Sequence, residues 1–245
     1  MDILLIVTFF MALLSSIVSG MSGGGGGFIM TPYFVLLGFT PQQIVANASI
    51  ASLGLGGSSL LAMRGKGLLR SRFLWPLIGI TLVATTLAMF VLPKIKGESF
   101  EVAIALLLIL LAPTLFIKKQ SLRPGDRTRK SVMLGYISYA ALLFASSLGS
   151  GLATLLFLPL IFLLGMSTLQ ANALRRVLMV VQAAIAFCIV LPQGYIVWSY
   201  ALATLAGCWI GGFIGTKIAL KKGEAFVKYA LAIVMVLSGI ALLII

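Results

Sequence analysis

The chain has 245 residues, 61% of them hydrophobic and 9% charged, with 18 basic against 5 acidic residues, a net charge of +13 and no histidine. A mean hydropathy of +1.17 excludes a soluble globular domain, and the lack of any basic, aromatic-interleaved polar segment excludes nucleic acid as the partner of the positive charge. Cys188 and Cys208 both fall inside apolar runs, and two such cysteines are neither a disulfide framework nor a metal site.

Ile3–Ser19 opens the chain. It has no basic start and no clear small-x-small cleavage site, so it reads as a retained helix and not as a cleaved leader. Phe28–Leu37 is short and follows the weak stretch from Gly20 to Gly27. Ile44–Met63, Phe73–Leu92 and Phe100–Ile117 reach or approach the roughly twenty apolar residues that cross a hydrocarbon core as a helix. A basic linker, 118–130, carries Lys118, Lys119, Arg123, Arg127, Arg129 and Lys130. Val132–Leu148 comes next, then a second short segment, Leu152–Leu164, behind Gly149-Ser150-Gly151. Ala171–Leu191, Tyr195–Ile214 and Phe226–Ile245 complete the chain. Unbroken runs of Leu, Ile, Ala and Gly suit helices, which satisfy their own backbone hydrogen bonds in lipid, and not the alternating strands of a barrel. The expected fold is all-α, a polytopic membrane helix bundle with two transmembrane repeats, 1–117 and 131–245, joined by the 118–130 linker.

The repeats show as an offset of 127 residues. Pro32 pairs with Pro159, Gly38 with Gly165 and Gln43 with Gln170. Two residues then drop out, so that Ala46-Asn47-Ala48 pairs with Ala171-Asn172-Ala173, and Gly97-Glu98-Ser99-Phe100 pairs with Gly223-Glu224-Ala225-Phe226. Charge sets the orientation. Arg64, Lys66, Arg70 and Arg72 occupy one loop, and its counterpart, Pro192-Gln193-Gly194, has no charge. Lys217, Lys221, Lys222 and Lys228 oppose only Glu224, whereas their counterparts Lys94 and Lys96 stand beside Glu98. Opposite bias in equivalent loops means inverted repeats. An odd number of crossings per half gives that result whether the short segments cross or form re-entrant hairpins. Positive-inside counting puts Arg64–Arg72, Lys118–Lys130 and Lys217–Lys228 in the cytoplasm and both termini outside, in a plasma (inner) membrane.

Inverted repeats with interrupted helices are the architecture of secondary transporters, whose sites lie at the breaks. Gly23, Gly24, Gly25, Gly26 and Gly27 hold a helix poorly, since each glycine costs about 1 kcal/mol relative to alanine. They free backbone N–H groups before the Phe28 segment, an arrangement that attracts anions; glycines also suit a loop or a close helix crossing. Gly149, Ser150 and Gly151 repeat the feature. Asn47 and Ser49 follow in the first half, and Asn172, Arg175 and Arg176 in the second, with Gln182 two turns further on. Such groups are costly in lipid and belong against protein or a wet cavity. The two arginines either hold an oxyanion or reach back to the interface. Gly207, Gly211 and Gly215 form a small-xxx-small run that reads as helix packing. The five acids, Asp2, Glu98, Glu101, Asp126 and Glu224, all lie in loops or near helix ends, so proton-relay groups are missing and an enzyme is disfavoured.

Several of these motifs together resemble the TauE/SafE family of sulfite exporters. They are Gly20-Met21-Ser22 with Gly23 to Gly27 and then Pro32, and Gly38-Phe39-Thr40-Pro41 leading into Ala46-Asn47-Ala48-Ser49. In the second half they are Pro159, Gly165-Met166-Ser167 and Gln170-Ala171-Asn172-Ala173, then Trp198 and the three packing glycines. Ser49 fits the hydroxyl that the family pattern places three residues after the alanine, and Leu174 departs from it. The resemblance implies transport of sulfur oxyanions or organosulfonates. The expected function is a secondary exporter of such anions, with a passive anion channel as the alternative. The expected partners are a small anion and the bilayer, with a homo-oligomer allowed and no cofactor or metal.

Overall fold

Local side-chain chemistry decides where two of the long helices begin. In the computed structural model, which describes residues 2–23, 27–65, 73–94, 129–148, 153 and 155–244, the helices are α1 (Asp2–Ser22), α2 (Gly27–Leu36), α3 (Pro41–Met63), α4 (Leu74–Val91), α5 (Arg129–Leu148), α6 (Thr168–Val190) and α7 (Trp198–Ile244). No strand occurs among the described residues. Before α3, Thr40 Oγ1 accepts from Gln43 N at 3.3 Å while Gln43 Oε1 accepts from Thr40 N at 3.0 Å. Before α6, Ser167 and Gln170 make the same pair of bonds at 3.2 and 3.3 Å. These capping boxes satisfy donors that a helix start leaves free. Each helix therefore starts three residues ahead of the apolar run, at Pro41 and Thr168 instead of Ile44 and Ala171.

Both helices are 23 residues long and both caps keep the offset of 127. The offset of 127 thus runs through both caps without the two-residue slip that aligns Asn47 with Asn172. At about 100° per residue, two residues turn a side chain to another face. In register, Ser49 corresponds to Arg176 and Ala48 to Arg175.

The short segments do not become full crossings. α2 has ten residues, about 15 Å at 1.5 Å per residue, half of a ~30 Å hydrocarbon core. It folds back on α1 as a hairpin, with the Tyr33 hydroxyl 2.7 Å from Thr8 Oγ1 and 3.3 Å from the Leu4 carbonyl. Its counterpart contains a single π-helical turn, Pro159–Leu163, closed by Leu164 N to Pro159 O at 2.9 Å. The ninth and tenth apolar segments join in α7, which breaks at Gly223 (φ 80°, ψ −171°). Lys217, Lys221 and Lys222 thus sit on helix, not in a loop, with the Lys217 ammonium 4.2 Å from the Phe213 ring centre. Among the described residues, Ile3–Ser22, Pro41–Met63, Leu74–Lys94, Thr168–Gln193 and Trp198–Gly223 are long and apolar enough to cross a membrane. The Phe100–Ile117 segment, residues 118–128 of the linker, residues 66–72 of the first basic loop and the Gly97–Phe100 motif lie outside the described residues.

α1 and α3 pack on α7, α4 packs on α5 and α6, and α3 crosses α6. Exchanging α1 with α5, α3 with α6 and α4 with α7 reproduces this set of contacts. Small residues bring α1 and α7 together. A Cβ on Gly207, Gly211 or Gly215 would collide with the carbonyl oxygens of Phe9, Leu13 and Ile17 respectively, the close approach that such spacing allows. Large side chains such as Trp75, Phe90 and Trp198 stand on the outside, as expected for a face solvated by lipid.

Candidate functional site

α1 ends at Ser22, and Gly23 takes φ +85° while its N–H closes on Ser19 O at 2.7 Å. Only glycine adopts this backbone without strain, and the position is also crowded: a Cβ would meet the Phe157 ring and lie 2.9 Å from the Asn172 amide. The start of α2, at Gly27, then faces a cavity of about 130 Å³. The positive end of the α2 dipole lies at this wall.

Serines form one side of the cavity: Ser15, Ser16 and Ser19 on α1, Ser49 on α3, Ser146 and Ser147 on α5. Several hydroxyl protons rest on carbonyls of their own helix, Ser49 on Ala46 O at 2.7 Å, Ser146 on Leu143 O at 3.0 Å and Ser147 on Leu143 O at 2.8 Å. A hydroxyl bound in this way can rotate toward a ligand that is a better acceptor. The rest of the lining includes the apolar Met30, Phe34, Leu55, Met89 and Ala186.

Among the described residues that line the cavity, Arg175 is the charged one. It is 3% exposed, donates through Nη2 to Gln182 Oε1 at 3.3 Å, and has no partner at Nη1 among the described residues. Thr85 Oγ1, also on the wall, has no partner either. A buried guanidinium with an unused N–H group is unfavourable in a dry site, and an anion relieves that penalty through a charge-assisted hydrogen bond.

Arg176 has a different setting. It is fully buried off the cavity wall, with Nε 3.3 Å from Asn172 Oδ1 and Nη2 donating to Ser19 O. It therefore ties α6 to the last turn of α1, where helix carbonyls carry partial negative charge. Both arginine side chains are enclosed by protein.

Of the residues that the sequence singles out, Gly23, Gly27, Ser49 and Arg175 meet at one cavity, and Gln182 joins them. Asn47, Asn172 and Arg176 are buried but do not line it. Asn47 Nδ2 turns to Gln43 O at 2.7 Å, and the Asn172 amide lies behind Gly23. Gly24, Gly25, Gly26, Gly149, Ser150 and Gly151 lie outside the described residues. The serines of α1 and α5 were missed, although a signal for them exists: Ser15-Ser16-x-x-Ser19-Gly20 recurs as Ser146-Ser147-x-x-Ser150-Gly151.

The sequence profile of the sulfite exporter TauE/SafE family matches residues 8–242. The chain is also similar to a protein of Sinorhizobium sp named "Probable membrane transporter protein ORF9", with 23% identity over 217 residues, covering 88% of this chain and 83% of that protein. No solved structure matches the chain at a significant level.

Proposed function

The chain belongs to the TauE/SafE family of membrane transporters, and on that premise we propose that it exports a small sulfur-containing anion, such as sulfite or an organosulfonate, through the serine-lined cavity. One observation carries this reading: Arg175, whose Nη1 has no partner among the described residues, is a charged side chain lining the cavity. The start of α2 at Gly27 and the rotatable hydroxyls of Ser49 and Ser147 add donors.

All the lining residues of α3 except Leu55, and those of α7, come from the first half of each helix, and those of α4 from its last half. These helix ends share one face, which positive-inside counting assigns to the outside. The opposite side is closed by the Arg176 tie, by Phe157 against Gly23, and by the 2.9 Å bond from Thr216 Oγ1 to Ser59 Oγ. Repeats of inverted orientation would let the same contacts open and close on alternate sides. Export needs no further energy source, since moving one negative charge out of an inside-negative cell gains about 2.3 kcal/mol per 100 mV. Both termini lie outside the plasma membrane in this arrangement.

Proteoliposomes with an imposed potential test the reading. Sulfite or methanesulfonate flux should saturate and show counterflow, and Arg175→Gln should weaken binding by about 1.5–3 kcal/mol, the range for a hydrogen bond to a charged group. Flux that neither saturates nor shows counterflow would make the protein a passive anion pore. Unchanged binding by the variant would remove Arg175 from the site.

A further inference from the structure

We propose that Gln182 sets the charge specificity of the cavity, holding the Arg175 guanidinium in place without neutralising it. This rests on the reading that the cavity is the anion site. The two residues are seven apart on α6 and so share a face two turns from each other. Arginine has donors only, so its Nη2 must meet the amide oxygen of Gln182, 3.3 Å away. The amide nitrogen is thereby turned outward and donates to Ser147 Oγ at 2.9 Å, whose own proton goes to Leu143 O at 2.8 Å. Donation runs one way, from the cation of α6 to a carbonyl of α5, and leaves Arg175 Nη1 without a partner among the described residues.

A glutamate at this position could make the same bond to Arg175, yet the pair would carry no net charge and would compete with any anion. The amide supports the cation as firmly and leaves its charge for the ligand. Arg176 does not substitute for it, because it is not among the residues that line the cavity; its Nε and Nη2 donate to Asn172 and the Ser19 carbonyl, and its Nη1, like that of Arg175, has no partner among the described residues. Gln182 is thus a positioning residue acting through Arg175, and the ligand it selects is a small oxyanion.

The test compares wild type, R175Q, Q182E and Q182M as purified full-length protein. Methanesulfonate and sulfite binding is read by titration calorimetry and folding by thermal unfolding. Q182E keeps an acceptor facing Arg175 but cancels its charge, and should weaken binding roughly 10- to 100-fold, the range that a hydrogen bond to a charged group supplies. Q182M removes the support but keeps the charge, and should weaken binding by less than about tenfold. A purely structural role predicts the reverse order, because Q182E preserves the bond that Q182M breaks; the reverse order, or equal binding by both variants, overturns the proposal. Should Q182E fail to fold, Q182M decides alone, and binding as weak as that of R175Q overturns it. Wild-type binding by R175Q would instead sink the cavity reading, and the role of Gln182 with it. Lost binding in R175Q with the reverse order at 182 would sink only the latter.

Discussion

Gly23 offers a perturbation whose two components the structure separates. Replacing it with alanine forces an L-residue to hold φ +85° and places a Cβ against the Phe157 ring and 2.9 Å from the Asn172 amide. The left-handed backbone alone costs about 1–2 kcal/mol. Overlap in a packed interior adds typically about 1–3 kcal/mol. Gly38 provides the control, because it has φ +78° and a Cβ added there would meet nothing within 4 Å. Gly38→Ala should therefore lose only the backbone part, and Gly23→Ala should exceed it by about 1–3 kcal/mol. Equilibrium unfolding in mixed micelles measures both. In a Phe157→Ala background much of the excess should vanish, since residues in contact couple by about 0.5–3 kcal/mol. If Gly23→Ala is no worse than Gly38→Ala, or if its effect is indifferent to Phe157, the account of this break as a crowded left-handed turn is wrong.

Arg176→Gln should lower stability by about 1–3 kcal/mol, because Asn172 Oδ1 loses its buried donor and the Ser19 carbonyl, which keeps only the Gly23 N–H, loses its bond across to α6; thermal unfolding as stable as wild type would remove the tie between α6 and α1. The charge-based topology predicts that single cysteines at Ser71 and Ser121 react with membrane-impermeant thiol reagents only after the cells are opened. Labelling of intact cells at either position would overturn the orientation.

The capping boxes show how much local structure the sequence contained unread. Thr40-Pro41-Gln42-Gln43 and Ser167-Thr168-Leu169-Gln170 are start signals in their own right, and apolar runs alone placed both helices three residues late. The repeat alignment turns on the same point. Matching Ala-Asn-Ala triplets suggested a slip, whereas the caps and the equal helix lengths hold the register at 127. Chemical likeness between Asn47 and Asn172 is not by itself likeness of position, because a linear match does not account for the rotation of a helix.

Composition and the length of apolar runs were sufficient for the membrane, the all-helical class and the packing role of Gly207, Gly211 and Gly215, since each of these depends on the solvent or on a spacing within one helix. The ordered motifs of the two halves were sufficient for the family. The different tasks of two adjacent arginines were not legible in the same way. Arg175 and Arg176 differ by one residue in sequence but by about 100° around α6, and what each meets there depends on other helices. Arg175 turns to the cavity and to Gln182, which reaches Ser147 of α5, while Arg176 reaches the end of α1, 157 residues away in the chain. A side chain's partners across such separations are decided by how the helices cross, and only the folded bundle specifies that.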